Sequence, residues 1–596
     1  MEPSGNSLTS RQSVSVSRRL HLLLATSALT VVLPVAGVAQ EIIDGTSETV
    51  IGTGGGTQAS PWYVGGLEAP TDLTIGSTGT GTLAISAGGV VADILATIGD
   101  GSGSEGTVTV DGAGATWTNS GGLFVGDFGT GTLAISDGGA ASNTVGVIGR
   151  HYGSTGTVTV DGPDSIWTNS HDLYVGGGGT GALGISAGGA VTNASAYIAS
   201  DTGSTGTATV NGAGSSWTNS GSLTVGGFGT GTLTIADGGK VTAANMILGS
   251  NGSGEGSLYL NGTPGARGTL ETSQLSKKTG LGTVIFNGGI LRLTGDQADL
   301  YSGFAPGNVT TAAGGAFIDT QEFSIETSYG LTGIGGLTKQ GTGTLTLTGA
   351  NSFSGQTVVN EGMLIVDGGS MGSSAAIIGE LSGDDGALTI QNGGEVSNTF
   401  GSIGTDSGST GTVTVEGSGS SWTNSGDLYV GLSGTGTLDI SAGGAVSNTS
   451  GFIGTGIGST GTVTVDGTGS SWTNSDDLYV GYNGTGTLDI SAGGAVSNAR
   501  GLIGRYPGSN GTVTVDGAGS MWTNLSHLVV GLSGTGTLHI SDGGAVSNAR
   551  GLIGSGGSNG TVTVDGPDSS WTNSEMLFIG DSNTGTLDIS AGGAVS

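Results

Sequence analysis

The chain has 596 residues, 129 of them glycine and none cysteine, and its formal net charge is −32 at pH 7. The missing cysteine excludes disulfides, a thiol nucleophile and thiolate metal ligands. The acidity leaves no basic face for a phosphate backbone, so nucleic acid is excluded as an expected partner.

Residues 1–19 are largely polar and carry Arg11, Arg18 and Arg19, and an apolar run follows from Leu20 to Ala36, interrupted by Pro34. Gly37 and Ala39 are the small residues that precede a cleavage site. The pattern predicts a secretory signal peptide over 1–39. No later stretch is apolar enough to span a bilayer as a helix.

Beyond it, Val, Ile, Leu and Thr recur at fixed spacing between glycines, the signature of many short strands separated by turns. We divide this part into an N-terminal cap (40–81), a first block of repeats (82–256), an irregular region (257–386) and a second block (387–596). Trp117, Trp167 and Trp217 are 50 residues apart, as are Trp422, Trp472 and Trp522, and Trp571 follows at 49. One unit reads GTVTVDGTGSSWTNSDDLYVG and then YNGTGTLDISAGGAVSNARGLIG over 461–504. The unit splits again, since TVTVDG matches TLDISAGG, SWTN matches AVSN, and DLYVG matches RGLIG. The true period is therefore about 25 residues in two alternating flavours, with three β-type segments in each. This predicts an all-β chain, a right-handed three-sided parallel β-helix with about 25 residues per rung in 50-residue double repeats. A propeller blade would not split into two like halves, and the consensus of a leucine-rich repeat is missing.

Asparagine marks the register. Asn119, Asn143, Asn169, Asn193 and Asn219 follow one another at 24 and 26, and Asn398, Asn424, Asn448, Asn474, Asn498, Asn524, Asn548 and Asn573 resume the series. Stacked at one corner, their amides are expected to bond from rung to rung. The series begins as Asp93 and ends at Ala243. Two residues before each Asn stands Trp in one flavour and Val or Ala in the other. Trp117, Trp167, Trp217, Trp422, Trp472, Trp522 and Trp571 are therefore assigned to the core, large against small along the axis. In the third segment the residue between two aliphatic positions must point outward. Tyr174, Tyr197, Tyr429, Phe452 and Tyr479 occupy that position, followed by Leu502, and we take them as a line of candidate ligand-facing residues.

In the irregular region, Gly333 to Gly369 reads GIGGLTKQGTGTLTLTGANSFSGQTVVNEGMLIVDGG. With Gly335-Gly336-Leu337-Thr338-Lys339, Gly341 to Leu347 and Gly362-Met363-Leu364, it resembles the passenger-associated repeat of autotransporters, also called the autotransporter-associated β-strand repeat. The resemblance implies type V secretion: the signal peptide crosses the inner membrane, and the passenger crosses the outer membrane through a C-terminal barrel. The sequence stops at Ser596, inside a repeat, so the barrel is expected in a longer product.

Catalytic constellations are poorly supplied. His21, His151, His171, His527 and His539 are the five histidines, and those after the signal fall at variable repeat positions. Asp111, Asp161, Glu416, Asp466, Asp516 and Asp565 recur once per 50 residues, as turn chemistry does and a singular active site does not. No cofactor and no metal site is expected. The function expected is a surface-exposed or secreted autotransporter passenger, a non-enzymatic stalk in adhesion, autoaggregation or biofilm formation. Its partners would be a host or matrix glycan or protein, or passengers on sister cells. The alternatives are a secreted β-helical polysaccharide lyase or hydrolase and a two-partner-secretion exoprotein.

Overall fold

The computed structural model describes residues 40–67, 70–580 and 582–596; the signal peptide expected over 1–39 lies outside them. Gln40–Ser596 form one unit, a parallel β-solenoid of about 21 turns with about 25 residues per turn and three parallel sheets. Alternation makes the strands. In Thr460–Asp466 the apolar Val463 and Val465 are fully buried while Thr462 and Thr464 face outward, the period of two that a half-buried strand requires. Parallel pairing begins at the first described strand, where Gln40–Ile43 lie beside Asp72–Ile75. The region 40–81 is thus already built of rungs.

Three ladders define three faces. In successive turns the first face carries Leu83, Val108 and Leu133, the second Val91, Trp117 and Ala141, and the third Ile75, Ile98 and Val125. In the first block these are the long TVTV strand, the Trp or Asn strand, and the short third strand.

The irregular region moves this pattern round by one face. The first face runs on through Leu258, Val284 and Val309, then Asn351, Met371 and Val396, and arrives at Trp422. The second runs from Trp217 through Val241, Leu270, Leu291, Ile318, Lys339, Val359, Ile378 and Ile403 to Val430. The third passes from Leu275 to Tyr301, resumes from Gln297 to Ile325, and reaches Val413. In the second block, therefore, the long strand lies on the third face, the Trp strand on the first and the short strand on the second. Two backbone ladders run on unbroken and the third is bridged only by the Gln297–Ile325 pair, while the sequence pattern rotates by a third of a turn. Shortened rungs accompany the shift, since Gly333 pairs with Phe353, 20 residues on.

Corners are tied across rungs by small polar side chains. Ser470 Oγ donates to Asp466 O at 2.6 Å and accepts from the Gly443 amide at 3.0 Å, one rung earlier. At Gly454, φ is +66° and an added Cβ would collide with Thr485 O in the next rung, so glycine is required by both backbone and space.

Candidate functional site

The interior comes first, because it decides which residues are free to bind anything. All seven repeat tryptophans are fully buried. Each Trp Nε1 donates to the side chain one rung earlier: Trp167 to Asn143, Trp217 to Asn193, Trp472 to Asn448 and Trp522 to Asn498, all at 2.7 Å. Trp422 and Trp571 do the same with Asn398 and Asn548, and Trp117 with Asp93. The same Asn donates forward through Nδ2, as Asn143 to Asn169 and Asn448 to Asn474, at 2.6 Å. The expected amide ladder is therefore paired, and not continuous. Nδ2 of Asn169, Asn424, Asn474 and Asn524 has no partner, because the rung that follows offers its own Asn oxygen to the next Trp.

A second alternation completes the clamp and escaped the sequence reading. The first inward position of the short strand is Leu428, Leu478 and Leu528 in the rungs that carry Trp but Gly451, Gly501 and Gly551 in the rungs that carry Val in its place. A Cβ on Gly451 would stand 2.7 Å from Trp472 Cζ2 and 2.5 Å from Asn474 Oδ1. The signal was present in DLYVG against RGLIG, whose first apolar positions differ in size.

The repeated carboxylates are exterior caps. Ser491 Oγ donates to Asp466 Oδ1 at 2.7 Å, and Ser541 and Ser590 bond Asp516 and Asp565 alike. His151 stacks on Phe128 with ring centroids 4.1 Å apart and faces Asp127 at 3.5 Å, whereas His527 bonds Ser526. Among the described residues no group of three His, Asp or Glu is placed to hold a metal ion.

The outward aromatic residues form two stacks and not one line. Tyr174 and Tyr197 stack on the third face, with centroids 5.1 Å apart. Tyr429, Phe452 and Tyr479 stack on the second face, at 5.0 and 4.9 Å. The one-face rotation of the pattern separates them. All five are half-buried, each ring covering its neighbour, and Leu502 is only 7% exposed. Tyr482, which sequence reasoning missed, meets Phe452 and Tyr479 edge-on at 5.3 and 5.2 Å, and Tyr506 adds a further edge contact. Burial, then the Asp477 carboxylate that accepts from Tyr479 Oη at 3.0 Å, pushes the Tyr479 phenol up to about 12.

Beyond Tyr479 the stack stops. Leu502, Val529 and Leu552 continue the line on the second face, and a groove of about 350 Å³ opens above them. Tyr479, Arg500, Arg505, Ser526, His527 and Leu532 complete its walls. Arg500 is held by Asp477, Nε to Oδ1 at 2.8 Å with a second bond from Nη2, and this contact raises the guanidinium pKa. Arg505 lies over Tyr506 at 5.2 Å, and its Nε has no hydrogen-bond partner.

Comparison with known proteins adds three findings. A family model described as the passenger-associated-transport-repeat matches residues 337–366. No curated protein matches the sequence significantly. Among solved structures, a TibC-catalysed hyper-glycosylated fragment of TibA is 18% identical, with 77% of this chain and 99% of that chain covered and a TM-score of 0.19. The chain is thus a β-solenoid with one segment, residues 337–366, that matches the passenger-associated-transport-repeat.

Proposed function

We propose that this chain is the exported passenger of an autotransporter and works at the cell surface as a non-enzymatic adhesive stalk, in adhesion, autoaggregation or biofilm formation. The observation that carries the reading is repetition of an outward surface: the second face of the second block presents Tyr429, Phe452 and Tyr479 in successive rungs. A surface built this way offers several equivalent contacts on one rigid support, and contacts in series raise avidity without any new chemistry. The passenger-associated repeat at 337–366 supports the export route, and the polar n-region and apolar run of residues 1–39 support passage of the inner membrane. Partners of the expected kind are host or matrix glycans or proteins, or the same passenger on a sister cell. The repeated carboxylates serve as hydrogen-bonded caps, which favours the stalk over a polysaccharide lyase or hydrolase.

The test is display of the full-length gene product on a cell that lacks it. Surface labelling together with cell aggregation or matrix attachment is expected. Retention of the chain in the cytoplasm, or surface display with no gain in attachment, would overturn the reading.

A further inference from the structure

The repeats of this chain align with one another, so a singular site is legible as the place where a repeat departs from its own pattern. Fifty residues separate equivalent positions. Ser450 becomes Arg500, Phe452 becomes Leu502 and Thr455 becomes Arg505; one rung later Asp477 becomes His527 and Tyr479 becomes Val529. All five changed positions line one groove. The core residues between them do not change type: Trp472 and Trp522, Asn474 and Asn524, and Leu478 and Leu528 stay buried. Other exterior positions also change, Ser471 to Met521 and Asp489 to His539 among them, but these five meet in one concavity over a conserved interior.

Two physical changes result. Replacing rings by shorter side chains leaves a slot in the stack. Phe452 covers one face of the Tyr479 ring, and the other face borders the slot over Leu502, Val529 and Leu552. A ring placed there extends the existing stack by one member. The charge also inverts. Arg500, Arg505 and His527 line the groove and no carboxylate does, in a chain of net charge −32. Asp477 is engaged by Arg500, and Asp476 acts on the same guanidinium. Arg505 lines the groove and forms no ion pair among the described residues, while its Nε is shielded from solvent.

We infer that this groove binds an acidic pyranose, a uronate-type sugar residue, with the apolar face of its ring on Tyr479 and its carboxylate on Arg505. A pyranose has an apolar C–H face and a rim of hydroxyls, for which Ser526 and His527 supply polar partners. A planar guanidinium that no carboxylate of the chain engages suits a ligand carboxylate. The volume of about 350 Å³ lies at the small end of ligand sites and suits a single sugar unit. The inference rests on the adhesive reading and names one ligand class for it.

The chain from Gln40 to Ser596 is titrated with methyl α-D-glucuronide, methyl α-D-glucoside and benzoate, followed by saturation-transfer NMR and calorimetry. The glucuronide is expected to bind about tenfold or more tighter than the glucoside, the loss of one charge-assisted contact. Two substitutions restore the preceding unit's residue and so fit the fold: Arg505→Thr and Val529→Tyr. The first should weaken the glucuronide about tenfold or more, and the second, by filling the slot, should abolish its binding. Equal binding of glucuronide and glucoside, preference for benzoate, or indifference to both substitutions overturns the proposal. So does a concentration-dependent dimer that Val529→Tyr dissolves, since the occupant is then a second copy. Adhesion that persists without glucuronide binding overturns the groove alone, whereas glucuronide binding without adhesion overturns the stalk alone.

Discussion

Trp472 donates its indole N–H to Asn448 Oδ1 at 2.7 Å, across one rung of the solenoid. Asn448 in turn donates to Asn474, two residues after that Trp, at 2.6 Å. The 50-residue unit is therefore a clamp of two rungs, and its two flavours are the two halves of one hydrogen-bonded device. Trp472→Phe removes the donor and keeps most of the ring, leaving a buried acceptor short of a partner; about 1–3 kcal/mol is expected. Trp472→Ala should cost about 3–5 kcal/mol. Because a solenoid unfolds in segments, hydrogen exchange of the flanking rungs is the measurement to use. A cycle with Asn448→Ala should show coupling, and strict additivity would argue against the clamp.

Gly451 makes room for that tryptophan. Gly451→Leu, the residue of the alternate flavour, should unfold the rung, because its side chain and Trp472 claim the same volume. Gly451→Ala should cost only about 1–3 kcal/mol: Ala196 holds the equivalent place in the first block and remains fully buried. Local exchange protection in the two variants separates these outcomes.

Much of this was legible in the sequence, and what was not has a common cause. Period, strand number per rung and the core Trp row follow from TVTV, WTN and LYV, because burial imposes alternation on every strand. The rotation of the pattern by one face was hidden, since it depends on how many segments lie between 257 and 386, where rungs shorten and the grammar blurs. Tyr174 and Tyr429 look equivalent in sequence yet stand on different faces. The groove was hidden for another reason. Its residues, Arg500 and His527 among them, are departures from the repeat, and a reading based on repetition discards departures as surface drift.

Asp93 opens the Asn series with a carboxyl in place of an amide. It is buried, accepts from Trp117 Nε1 at 2.7 Å, and faces the amide nitrogen of Asn119. Burial above all, with Asp72 adding to it, pushes its pKa up to about 7 against the indole N–H that lowers it. The unfolded value is about 3.9. Between these values the folded chain holds a proton that the unfolded chain has released, so the contribution to stability is full below about pH 4 and is lost as pH rises to about 7. Asp93→Asn should flatten that slope and stabilise the first rungs at pH 7.5, as read by exchange in residues 72–119. A steeper slope in the variant would contradict the assignment.

Lys339 occupies a core position on the second face, between Ile318 and Val359. Its Nζ donates to the carbonyls of Gln340, Gly341 and Glu361 at 3.1, 2.6 and 3.0 Å. Burial lowers its pKa to about 8, with Asp319 and Glu361 opposing, whereas the unfolded value is about 10.4. From about pH 8 upward the unfolded state holds more protons, so this residue makes stability rise with pH toward 10. The raised Tyr479 phenol acts oppositely, but only above its unfolded value of about 10. Lys339→Met should erase the rise between pH 8 and 9.5 in exchange measured over residues 337–366, and an unchanged rise would place its origin elsewhere.

The central claim, a multivalent stalk, is tested most directly by counting units. Residues 411–460, alone or together with 131–180, hold one and two whole double rungs outside the groove, and their excision joins like to like, because Gly411 and Gly461, and Gly131 and Gly181, hold the same register. The full chain and the two shortened chains are displayed at matched surface density, and attachment to cells or matrix is measured against shear. Multivalent contact predicts that attachment falls stepwise with each unit removed, and more steeply than in proportion to their number. Attachment unchanged by either excision, or a polysaccharide-cleaving activity that one carboxylate substitution abolishes, would contradict the account.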